Sequence, residues 1–141
     1  MMNDVIAAAI ASLKLKTGLT DKTIISIYDQ TLNLSTAAGT VIEVAGSSEV
    51  KAADATGKPL AWDCNLTVKV ATHDETDKSG ATRKQLVGHV FDWFMALSAG
   101  GLTITGYALN GIVSVRESDT MPLGDEYISQ DVNGTLVISK N

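Results

Sequence analysis

Eleven consecutive residues alternate without a break: Leu60, Trp62, Cys64, Leu66, Val68 and Val70 are apolar, and Ala61, Asp63, Asn65, Thr67 and Lys69 between them are small or polar. A period of two puts one apolar and one polar face on a β-strand. At about 3.4 Å per residue it extends roughly 36 Å. A compact domain of this chain length is roughly 35–40 Å across, so the strand crosses the whole molecule or projects from it. Cys64 falls on the buried face, where a free thiol packs as a small hydrophobe.

The polar turn Thr72-His73-Asp74-Glu75-Thr76-Asp77-Lys78 follows, and the period changes. A helix is predicted from near Ser79 to about Leu97, with Gly100-Gly101 past its end. At about 100° per residue, Leu86, Val90, Trp93 and Leu97 share one line, and Phe94, Val87, Phe91 and Met95 widen it to an arc of about 200°. One sheet needs a stripe of only about 100°. The excess must be covered, either by the N-terminal helix or by a neighbouring subunit.

That N-terminal helix is read from Val5, Ile6, Ala9, Ile10 and Leu13 on one face, with Asn3 as N-cap, Asp4 at the positive end, Lys14 and Lys16 at the negative end, and Gly18 as the stop. Short strands are predicted at Thr23–Tyr28 and Thr40–Val44, and a turn at Asp54–Pro59. Leu102–Tyr107 and Ile112–Arg116 also read as strands. Asn133-Gly134, between Tyr127–Val132 and Thr135–Ser139, predicts a two-residue hairpin loop whose central residues need positive φ. Asn110-Gly111 suggests a similar turn. The expected fold is α+β, one domain over 1–141: a mixed or antiparallel sheet with a long helix packed on one face, an N-terminal helix and a C-terminal β-hairpin.

Composition narrows the function classes. The 141 residues are 45% hydrophobic and 19% charged, with a formal charge of -5. Folding such a mass should reduce accessible surface from roughly 21,500 to roughly 7,000 Å², enough for a core without disulfides or metal. The single Cys64 excludes an internal disulfide and suits a reducing compartment. The acidic balance and scattered basic residues argue against nucleic-acid recognition. Val5–Leu13 is too short to cross a bilayer, and its flanking charges run in the wrong order for a secretory signal.

Candidate chemistry is sparse. His73, Asp74, Glu75 and Asp77 cluster, but without the 1,3,5 spacing, turn Gly and terminal Glu of a calcium loop; a helix-entry turn explains them as well. Two His and one Cys show no zinc-ligand pairing. Cys64 with His89, or with His73, is the only Cys-His combination, and the predicted faces point Cys64 and His89 apart. Asp74 with Asp77, or Asp125 with Glu126, would be the acid–base pairs, indistinguishable in sequence from surface charge. No glycine-rich phosphate loop is present. Asn33, Asn65 and Asn133 match the glycosylation pattern, which means little without a secretory signal. No catalytic, cofactor-binding or metal residue is assigned. The loop Arg116–Glu126 carries an acidic surplus.

The order of elements resembles the tail-terminator (tail-completion) proteins of long-tailed bacteriophages. The likeness rests on the run Leu60–Val70, the helix through Gln85–Phe94, the Val115-Arg116-Glu117-Ser118-Asp119 start of the acidic loop and the closing strands to Ile138. The family has no short signature to carry functional residues across. The resemblance implies a non-enzymatic structural protein of a phage or prophage tail, assembled in the bacterial host cytoplasm. It implies a ring, typically of six subunits, that caps the tail tube and meets the head connector. Its partners would be further copies, the tail-tube protein and the head–tail connector, without a cofactor, nucleic-acid recognition or a membrane. An acidic chain suits a bore that passes DNA without holding it. The rival reading is a small-molecule-binding or enzymatic α+β domain, with a pocket between sheet and helix lined by His73, Asp63 or Glu43.

Overall fold

The alternating run forms a strand longer than the alternation itself. In the computed structural model, which describes residues 1–28 and 39–141, β3 runs from Pro59 to His73, 15 residues. At about 3.3–3.4 Å per residue it spans about 50 Å. Its neighbours match it: β2 is Thr40–Ala53 and β7 is Tyr127–Lys140, 14 residues each. The other elements are α1 (Met2–Leu13), β1 (Ile24–Ser26), α2 (Ala81–Ala96), β4 (Thr103–Ile104), β5 (Tyr107–Glu117) and β6 (Met121–Leu123).

All the described strands join one seven-stranded sheet in the order β1-β2-β3-β7-β5-β4, with β6 also on β7. β1 pairs with β2 in parallel, and the remaining pairs are antiparallel. The inner face carries Ile42 and Val44 of β2, Cys64, Leu66, Val68 and Val70 of β3, and Val132, Leu136 and Ile138 of β7, all fully buried. Both helices lie against this face and share one core with it. The sheet curls into a half-barrel, and α1 touches β1 and β2 near one edge and β4 at the other.

One row across the sheet makes room for the helices. Gly46, Leu66, Gly134 and Val115 are cross-strand neighbours. A β-carbon on Gly46 would overlap Met2 Cε of α1. One on Gly134 would stand 2.5 Å from Phe94 Cδ1 of α2 and closer still to Cε1. Glycine inside a strand here marks close approach of a helix rather than a turn. Register shifts in the β2–β3 pairing, at Lys51 of β2 and at Leu60 of β3, and bulges in β5 at Asn110 and Val113 add local bend.

The expected fold class is corrected by this architecture. Of the described residues 47% are in strands and 21% in two helices, so the chain is mostly sheet rather than a balanced α+β domain. No long helix covers a sheet face: the 16 residues of α2 span about 24 Å at 1.5 Å per residue, half the length of the strands beneath. The terminal hairpin also lies elsewhere. β7 runs straight through Asn133-Gly134, and no described residue other than glycine has positive φ. The chain instead reverses at Gly124-Asp125-Glu126, where Gly124 takes φ 65° and Leu123 pairs with Tyr127. Asn110-Gly111 is a bulge in β5, not a turn.

Local readings fare better. The helix predicted for Ser79–Leu97 is α2, and its wide apolar arc is covered partly by α1: Trp93 Nε1 donates to Ser12 Oγ at 2.9 Å. Met95 remains exposed. α1 starts with Met1 rather than Asn3 at the N-cap position and makes no side-chain capping bond. It ends at Leu13 in tight turns, and Gly18, at φ 92°, lies under the His89 ring.

Candidate functional site

A cluster of polar side chains sits where β3 hands over to α2. Asp77 accepts from Thr72 Oγ1 at 2.8 Å, Thr82 N–H at 3.1 Å and Arg83 N–H at 3.0 Å. It therefore caps α2 from four residues before its first turn, with Gly80 in the left-handed conformation between. Partial desolvation opposes ionisation, but the bonds from Arg83, Thr72 and Thr82 outweigh it and hold the carboxyl below its ordinary range. Arg83 is buried over Gly80, its Nε unpartnered among the described residues.

His73 is held differently. Its Nε2 lies 3.3 Å from Glu126 Oε2, its Nδ1 accepts from Glu75 N–H at 3.2 Å, and its ring stands edge-on to Tyr127. Asp74 N–H donates to Glu126 O at 2.8 Å, tying the end of β3 to the hairpin tip before β7. The four residues His73, Asp74, Glu75 and Asp77 thus serve two local structures. Among the described residues no group of three or more His, Cys, Asp or Glu side chains is placed to hold a metal ion.

Cys64 is fully buried, with Sγ 3.8 Å from Met1 Sδ. Burial first, then the Asp63 charge, push its thiol up to about 11 against the pull of the N-terminal ammonium. Such a thiol is a poor nucleophile at neutral pH. The partner of its Sγ is thus Met1, at the N-cap position of α1, while His89 covers Gly18. Asp125 and Glu126 occupy the exposed hairpin tip.

Glu43, Asp63 and His73 alternate with the core positions and so lie on the sheet face turned away from the helices. A pocket between sheet and helix lined by them does not form. On that same outer face Thr67 Oγ1 donates to Asn133 Oδ1, and Thr135 Oγ1 to Asn65 Oδ1, both at 2.7 Å. Asn65 and Asn133 are therefore mid-strand residues, and Asn33 lies outside the described residues. Beside α2, an open depression of about 570 Å³ is lined by Lys84, Val87, Glu117, Ser118, Asp119, Thr120 and Gln130. Ser118 shapes it: its N–H donates to Asp131 O, and its Oγ accepts from Asp131 N–H.

The remaining distinctive surface is the arm formed by β2 and β3 beyond the core. Its tip is rigid. Asp54 Oδ1 accepts from Thr56 N–H, Thr56 Oγ1 and Lys58 N–H at 2.6–2.9 Å, and Gly57 takes φ 85°. Behind the tip, the inner face fully buried at Cys64 continues to Val50 and Leu60, 56% and 43% exposed. Outside Gly46, whose carbonyl accepts from Tyr28 OH, β2 presents an edge to which no described strand pairs. Sequence reasoning places a turn at the tip but ends β2 at Val44, so it misses the arm. The signal that identifies it is the uninterrupted length of β3.

No protein-family model and no curated protein matches the chain. A solved structure whose name states no activity aligns over 100% of this chain and 96% of its own, with a TM-score of 0.62 at 12% identity. That likeness concerns the fold alone.

Proposed function

We propose that this chain is a non-enzymatic assembly protein of a phage or prophage tail, resembling a tail terminator: a ring-forming subunit that caps the tail tube and faces the head connector. The observation that carries the reading is the arm. Strands of 14 and 15 residues take the inner face past the helices that cover it, leaving Val50 and Leu60 bare while Cys64, Leu66, Val68 and Val70 are sealed. An apolar face that outruns its own cover is a surface another chain completes. The resemblance in element order supplies the identity of that chain, first further copies and then tail-tube and connector proteins. The acidic net charge of -5 suits a bore through which DNA passes without adhering. The polar clusters at Asp77 and His73 are accounted for by capping and hairpin closure. On this reading the protein belongs to the virion tail and is assembled in the host cytoplasm.

Light scattering at tens of micromolar, with and without tail-tube protein, tests the proposal. A closed oligomer is expected, weakened in Val50→Ser and Leu60→Ser variants that keep the secondary structure of the wild type by circular dichroism. A strict monomer under both conditions overturns it.

A further inference from the structure

We draw no further inference here: the strongest candidate, the edge of β2 from Ser47 to Ala53 to which no described strand pairs, carries nothing because nothing in the structure shows what covers it, and its bulge and its charged Glu49 and Lys51 are equally the features that keep an edge strand unpaired.

Discussion

Replacing Gly134 with Ala tests how the sheet accepts α2. The backbone at Gly134 has no positive φ, so alanine meets no conformational barrier there. The obstacle is Phe94, fully buried, whose ring atoms would lie 2.5 Å (Cδ1) and 3.1 Å (Cζ) from the new methyl, with Cε1 nearest of all. An enclosed ring cannot swing aside, so the helix or strand must shift. Overpacking of this kind costs about 1–3 kcal/mol. Removing a glycine from a strand interior returns about 0.5–1 kcal/mol. The net expectation is a loss of about 1–2 kcal/mol. With an unfolding entropy near 2.1 cal/mol/K per residue, that lowers Tm by roughly 3–7 °C. Phe94→Leu alone also destabilises, by on the order of 1–2 kcal/mol, because it leaves a void. In the double variant the clash is gone, so the two losses should fall short of additive by about 1 kcal/mol in urea denaturation. A Gly134→Ala cost that is the same in the Phe94→Leu background as in the wild type would refute the close-approach explanation. So would a neutral or stabilising single variant.

Asp77→Ala should cost about 1–2 kcal/mol, as loss of a helix cap does. Because the Asp77 carboxyl is held below its ordinary 3.8, its contribution is present above that value and lost as pH falls through the lower folded one. The gap in urea midpoint between wild type and Asp77→Asn should therefore close in acid; a gap independent of pH between 2 and 6 would contradict this. With its thiol at about 11, Cys64 should be about a thousandth ionised at pH 8 and react with a disulfide reagent only as the protein opens. Rapid stoichiometric labelling of native protein would show the burial to be wrong. Ser12→Ala strands the Trp93 indole N–H at the α1–α2 contact and should cost about 1–2 kcal/mol in chemical denaturation, whereas unchanged stability would mean that bond contributes nothing.

What the sequence discloses, and what it hides, follows from range. β3 is legible because strict alternation from Leu60 to Val70 is a local property, and α2 because its apolar residues recur at helical spacing. The outer half of β2 is not legible. Gly46, Ser47 and Ser48 look like the end of a strand, and only the long ladder of pairing with β3 keeps them extended. The two Asn-Gly pairs show the sharper lesson. Turn propensity at Asn133-Gly134 is real, but the absent β-carbon is used to admit Phe94 from a helix some forty residues away. At Asn110-Gly111 the same pair makes a bulge. The balance of sheet over helix is hidden for the same reason, since strand length here is set by neighbours. In the candidate site, the acidic turn at Asp74–Asp77 is visible as a capping segment. That Asp77 reaches Thr82 and Arg83 across a left-handed Gly80 emerges only in the folded turn.

The central claim is that a second copy completes the face left open at the arm. Native mass spectrometry of the full chain, alone and mixed with tail-tube protein, measures it most directly. A single closed oligomer, retained when the tube protein is added and depleted in the Val50→Ser/Leu60→Ser double variant, is the predicted result. A monomer in every sample, or an oligomer indifferent to both substitutions, would contradict it.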